Sequence, residues 1–183
     1  MDISYRKLVA TESKQYREIR LESLQLHPES FGTTFEEQSK LPKLGFEIAL
    51  EQPTDERFMM GAFDGQLLIG ICGFIPSVRE EFQGSKNTGI LIQVYVKPGY
   101  HGRKIGLGLI HAALSAAFEI PRIERVMLGV RKGNSSAIQV YEQAGFRIFN
   151  LEGEKTEGHQ ESLFMIIHRD DWSQNRTEVR TEP

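Results

Sequence analysis

The sequence predicts an α/β (α+β) fold, a sandwich in which helices flank a mixed, mostly antiparallel central sheet. Three observations point there. Asp64–Gly65 sits between two apolar runs in RFMMGAFDGQLLIGICGFIPSV, the strongest short-range sign of a β-hairpin. GILIQVYVKP alternates, with Ile90, Ile92, Val94 and Val96 on one face and Leu91, Gln93 and Tyr95 on the other, and is apolar enough for a central strand. LGLIHAALSAAFEIP repeats Leu107, Ile110, Leu114 and Ala117 at three- and four-residue spacing before Pro121, the pattern of an amphipathic helix.

The remaining elements follow in chain order. ISYRKL reads as an opening strand, and Thr11 caps a helix through ESKQYREIRLESLQL that Pro28 closes. Thr33 or Thr34 caps a second, shorter helix whose first turn carries Glu36 and Glu37, where carboxylates complement the helix dipole. After the hairpin, EEFQGSKN is a loop before the central strand. IERVMLGVRKG is the next strand. NSSAIQVYEQAG is a helix with Asn134 or Ser135 near its cap, a capping-box pattern from Ser136 to Gln139, and Gly145 in the left-handed closing position. FRIFNLEG and SLFMIIHRD are two further strands, joined by the polar EKTEGHQE. Residues 1–172 are expected as one domain. DDWSQNRTEVRTEP has one aromatic and little to bury, so residues 173–183 are expected as a frayed, disordered tail.

Composition narrows the function classes. The chain has 183 residues, 39% hydrophobic and 26% charged, ordinary for a soluble domain. No apolar run approaches the roughly 20 residues that cross a bilayer, so no membrane partner is expected. MDISYRKLVA lacks the pattern of a secretory signal, and the lone Cys72 cannot form an internal disulfide, so a cytoplasmic location is expected with the mature chain starting at Met1. A net charge of −3 argues against nonspecific nucleic-acid binding, so any anion site is local.

The local candidate is GYHGRKIGLG, between the central strand and the amphipathic helix. A helix N-terminus leaves N–H groups without intrahelical partners, and glycines let a ligand approach them. Gly102, Gly106 and Gly108 supply that here, with His101, Arg103 and Lys104 beside them. A diphosphate is the natural guest; the plain alternative is a glycine-shaped turn from strand to helix. The third glycine of a dinucleotide fingerprint is missing, and no GxxxxGK[ST] occurs.

The run VYVKPGYHGRKIGLGLI resembles the acyl-CoA binding signature of the GNAT superfamily of N-acetyltransferases, Gln/Arg-x-x-Gly-x-Gly/Ala, through Arg103, Gly106 and Gly108. NSSAIQVYEQAGF is similar to a second family pattern, Asn-x-x-Ala-x-x-x-Tyr-x-x-x-Gly-Phe, through Asn134, Ala137, Tyr141, Gly145 and Phe146. The resemblance implies the GNAT fold, with central strands splayed around acetyl-CoA as acyl-donor cosubstrate. It implies that backbone groups of Val94, Tyr95 and Val96 pair with the pantetheine arm. It also implies that the amides of Gly102, Arg103, Lys104, Ile105, Gly106, Leu107 and Gly108 hold the pyrophosphate, with charge from Arg103 and Lys104. Lys104 stands where the family often has glycine, and His101 where it often has arginine.

The resemblance further implies that Tyr141 donates a proton to the coenzyme A sulfur and that Asn134 bonds the arm. On the residues alone, a tyrosine at the position of Tyr141 is more often a core residue, and Asn134 reads as a simple helix cap. Acyl transfer also calls for a neutral amine, and no acid lies within ILIQVYV. Glu36 and Glu37 are the candidates for a base, directly or through water, or else simple dipole partners. Their charge hints at a cationic acceptor. His111 and His168 read as structural, His159 as a loop residue, and no spacing suggests a metal. The expected reaction is direct transfer from acetyl-CoA to a primary amine, on a small molecule or a protein, in a ternary complex; the resemblance also allows a homodimer. The competing reading is a non-catalytic acyl-CoA-binding regulatory module.

Overall fold

The computed structural model describes residues 2–54, 56–77, 87–149 and 162–179. The stretches expected as loops at 80–86 and 154–161, with His159, lie outside them. β1 (Ile3–Lys7) leads through a 3-10 turn into α1 (Ser13–Leu26), then α2 (Phe35–Ser39) and α3 (Gly45–Glu51). β2 (Phe58–Asp64), β3 (Leu67–Pro76) and β4 (Thr88–Val96) follow, then α4 (Ile105–Phe118), β5 (Arg125–Arg131), α5 (Ser135–Gln143), β6 (Arg147–Phe149), β7 (Ser162–His168) and α6 (Arg169–Val179). The seven strands lie in the order β1-β2-β3-β4-β5-β7-β6, antiparallel throughout except where β4 meets β5.

Local chemistry explains most of these boundaries. Gly65 closes the β2–β3 hairpin at φ +59, a conformation that costs glycine little. Thr34 is the cap of α2: its hydroxyl accepts from Glu37 N–H at 3.2 Å, and the Glu37 carboxylate accepts from Thr34 N–H at 2.9 Å. Gly145, at φ +95, ends α5, with Phe146 N–H donating back to Tyr141 C=O at 3.0 Å in the Schellman pattern. Asn134 caps α5 through Ala137 N–H, in place of the expected Ser136–Gln139 box. At the start of α1 the carboxylate of Glu12, not Thr11, takes a free amide, accepting from Val9 N–H at 2.9 Å while Arg6 holds its other side.

Two helices exceed the expected set. α3 is anchored by Glu47, which accepts from Leu44 N–H at 2.6 Å and pairs with Arg17 of α1 at 2.6 Å. α6 occupies residues expected as a frayed tail. Trp172 is buried against His111 and Phe118, and the Arg169 guanidinium gathers the carbonyls of Phe118, Ile120 and Ile123 beyond the end of α4. One well-placed aromatic and one arginine suffice to dock a helix that its composition alone leaves unanchored.

The sheet separates two apolar clusters. One packs α4 and α5 against Cys72, Phe74, Leu91 and Val126; the other packs α1 and α3 against Met59, Ile71 and Tyr95. β4 does not keep strict alternation between them. Leu91 and Val94 share the α4 face, whereas Ile92 and Tyr95 share the α1 face. The register slips by one residue opposite Cys72, between the pairs Gly73↔Ile92 and Ile71↔Tyr95, and Gln93 sits at φ +56. This bulge moves Val94 and Tyr95 onto faces opposite to those that plain alternation predicts. On the α1 side, Tyr95 donates to Glu22 Oε1 at 2.7 Å and Lys97 pairs with the other oxygen, tying α1 to the end of β4.

Two outcomes follow for stability. A methyl added at Gly89 would lie 2.1 Å from Phe74 Cε2, a ring with no exposure that stacks on Phe58, so Gly89→Ala is expected to cost about 1–3 kcal/mol in urea unfolding. Gly99→Ala, where nothing lies within 4 Å, is the control and leaves the midpoint unchanged. For Glu22, partial burial pushes the carboxyl up, but the bonds from Lys97 and Tyr95 outweigh it and hold the group below its ordinary value. A lowered folded value stabilises above the unfolded pKa and loses that contribution as pH falls. Glu22→Gln should therefore melt about 2–4 °C lower at pH 7, with the gap closing below roughly pH 4, as read by thermal denaturation across pH.

Candidate active site

β4 and β5 are paired only at Thr88↔Arg125, Gly89↔Val126 and Ile90↔Met127. Past these, β4 stays on β3 as far as Gly70↔Val96, and β5 stays on β7 as far as Arg131↔Ser162. The two facing edges therefore part from Leu91 and Leu128 onward, each held by its outer neighbour. The gap opens just before the bulge at Gln93.

Strand alternation decides which backbone groups line the opening. Lys97 N–H donates to Ile69 C=O at 2.9 Å, so Lys97 and Tyr95 turn their peptide groups toward β3, and Val96 and Val94 turn theirs toward the gap. Tyr95 is thus removed from the three residues expected to pair with a pantetheine arm: its backbone is in register with Ile71, and its side chain reaches α1. The Val96 carbonyl is already approached by His101 Nε2 at 2.8 Å, a contact in which the ring N–H donates. His101 therefore bonds the strand edge, an arrangement that family spacing did not suggest.

Beyond the gap the chain turns through Gly102, at φ +76, and Lys104, at φ +58, into α4. Lys104 occupies a left-handed position that glycine fills without strain, which accounts physically for the family's frequent glycine there. The first helical bond is Gly108 N–H to Lys104 C=O at 3.0 Å, so the amides of Ile105, Gly106 and Leu107 precede any intrahelical acceptor. Gly108 accordingly leaves the expected anion set, because its amide is committed. Its missing side chain instead admits β1, since a Cβ there would lie 2.4 Å from Tyr5 Oη. At Gly106 the nearest atoms to an added Cβ are Val96 Cγ2 at 3.9 Å and Val140 Cγ1 at 4.0 Å, so the helix start stays open. His101, Arg103 and Lys104 are exposed, and no carboxylate occurs between Val96 and Phe118.

Tyr141 reaches the same region from α5. It is 7% exposed, with its ring edge-on to Phe146 at 6.1 Å. Burial pushes the phenol far above its ordinary value, and nearby Cys72, which faces the bulge, adds to the push. The hydroxyl thus holds its proton at neutral pH. Cys72, fully buried, has its thiol raised to about 12 and is inert as a thiolate. Asn134 spends its side-chain oxygen on the α5 cap, accepting from Ala137 N–H and Ser136 Oγ at 3.2 Å each, which leaves its amide N–H groups as the donors it can offer.

On the opposite face of the bulge, Tyr16 donates to Gln93 Oε1 at 2.9 Å. The Glu37 carboxyl is held below its ordinary value by the Thr34 amide and hydroxyl, and both Glu36 and Glu37 are exposed on α2. Glu22, absent from the sequence expectations, is the acid that touches the end of β4. Tyr95 lies 73 positions away, so no local pattern reveals the pair.

A model of the Acetyltransferase (GNAT) family matches residues 16–146. A relative from Mycobacterium tuberculosis, described as an uncharacterized N-acetyltransferase, is 31% identical over 119 residues, covering 64% of this chain and 70% of its own. Among solved structures, the putative acetyltransferase yncA of Salmonella typhimurium, crystallised with acetyl-CoA, superposes with a TM-score of 0.69 at 17% identity, over 92% of this chain and 94% of its own. The PaiA N-acetyltransferase of Thermoplasma acidophilum, in complex with coenzyme A, gives 0.66 at 24% identity over 92% and 99%. The aminoglycoside acetyltransferase AAC(6')-Ib, in complex with coenzyme A and kanamycin, gives 0.70 at 15% identity over 96% and 99%. The strand parting, the glycine-turned helix start and the family model agree, and the chain belongs to the GNAT acetyltransferase family.

Proposed function

We propose that this protein transfers an acetyl group from acetyl-CoA directly to a primary amine in a ternary complex. The observation that carries the reading is the β4–β5 gap, which turns the Val94 and Val96 peptide groups toward an opening that ends at three uncommitted amides of α4. An acyl-pantetheine arm fits such an edge as an added strand, and a pyrophosphate fits a helix start with uncommitted amides and with His101, Arg103 and Lys104 beside it. His101 shares or yields the Val96 carbonyl when the arm binds, because a carbonyl oxygen has two lone pairs.

Acetyl-CoA supplies an acyl carbon already activated as a thioester. The amine lone pair forms the new C–N bond, the C–S bond breaks, and the electron pair stays on sulfur. Tyr141, protonated at neutral pH, donates its proton to that sulfur, while the amine sheds one proton to water, which restores the phenol. For an alkyl amine of pKa near 10, starting neutral at pH 7 costs about 4 kcal/mol. Among the described residues no carboxylate bonds Gln93 at the bulge, so water leading out from the gap is the proton path in this reading.

Release of coenzyme A, followed with a panel of amines, tests the reading. Tyr141→Phe is expected to lower kcat about 10²-fold while the affinity for coenzyme A, measured by calorimetry, stays within about twofold. An unchanged kcat removes Tyr141 from the chemistry. Tight acetyl-CoA binding with no amine turned over would replace the enzyme with the binding-module reading.

A further inference from the structure

Arg20 lies on α1 one turn after Tyr16 and is 3% exposed. Of its five N–H donors, one on Nη1 meets Ser23 Oγ at 3.4 Å and one on Nη2 meets Thr33 Oγ1 at 3.0 Å; Nε is buried with no acceptor. Ser23 is a weak partner at that distance, and its hydroxyl donates to the Arg20 carbonyl at 2.7 Å. The Phe31 ring covers the guanidinium at 4.5 Å. No carboxylate pairs with Arg20 among the described residues, whereas Arg17, on the same helix and more exposed, meets Glu47 at 2.6 Å. Burial draws the Arg20 pKa down, the direction for a charge held without a compensating anion.

A buried guanidinium ordinarily has its charge matched and its donors filled. Arg20 has neither, and its place gives the mismatch a meaning. Tyr16, one turn before it, bonds Gln93 at the bulge, on the face opposite the one that carries Tyr141. With α4 and α5 packed on the Tyr141 side, the acetyl-transfer reading leaves the α1 side for the acceptor. We propose that Arg20 binds a carboxylate of the acceptor, so that the substrate is a small molecule carrying both an amine and a carboxylate, as a free amino acid does. Its Nε–H and the adjacent Nη–H form the planar fork that a carboxylate takes in two parallel bonds, displacing the neutral Thr33 hydroxyl. This rests on the acetyl-transfer reading and replaces the cationic acceptor that Glu36 and Glu37 suggested, since those two acids are exposed on α2 whereas Arg20 is a buried charge.

The test compares free amino acids with their carboxamides as acceptors for the full-length protein and acetyl-CoA. The acid of at least one pair is expected to exceed its amide at least tenfold in kcat/KM, chiefly through KM. Arg20→Met should abolish that preference by raising the KM of the acid, with the amide and the KM for acetyl-CoA unchanged. Arg20→Lys, which keeps the charge, should retain part of it. Equal use of acid and amide by the unmodified protein, or an equal loss on both in the variants, overturns the proposal and leaves acetyl transfer standing; the first comparison needs no variant to fold. If no acceptor is turned over, calorimetry with N-acetyl amino acids decides separately: Arg20-dependent binding upholds the carboxylate site while transfer falls, and no binding sinks both.

Discussion

β4 and β5 part beyond Ile90 and Met127, where β4 carries one residue more than its partner β3 while β5 keeps an unbroken register with β7. The extra residue at Gln93 bends and twists β4 locally, while β5 keeps an unbroken ladder to β7. The gap is therefore a product of pairing on both outer sides, not of fraying. Unpaired strand edges inside a sheet carry a cost, since their peptide groups need partners. His101 meets the need at Val96, and the acyl-pantetheine arm would meet it more fully.

The two faces of this gap have opposite electrical characters. On the α4 side, uncommitted amides and a neutral, strongly buried phenol present protons to whatever enters. On the α1 side, Tyr16 and Glu22 hold the bulge and the strand end in place, and Arg20 keeps a charge with too few partners. A net charge of −3 for the whole chain hides both facts, because electrostatics at a site are set within a few ångströms rather than by the total.

What could be read from the sequence was what depends on neighbours along the chain. The Asp64–Gly65 hairpin, the α4 spacing, the Thr34 cap and the Gly145 terminus are fixed by a few adjacent residues, and each stands where its pattern placed it. Gln93 defeated the alternation because a bulge is set by the partner strand, and nothing in ILIQVYV marks it. Gly108 looked like part of the anion loop, yet its reason is Tyr5, over a hundred positions earlier. Trp172 and Arg169 dock α6 onto surfaces that exist only once α4 has folded. That Arg20 lacks a carboxylate partner among the described residues is likewise visible only from the folded arrangement.

Hydrogen exchange at individual amides, with and without saturating coenzyme A, tests the central claim most directly. The account predicts new protection at Val94 and Val96 together with Ile105, Gly106 and Leu107, and no change at Tyr95, which β3 already protects. Protection confined to other surfaces, with these amides exchanging as fast as before, would contradict it.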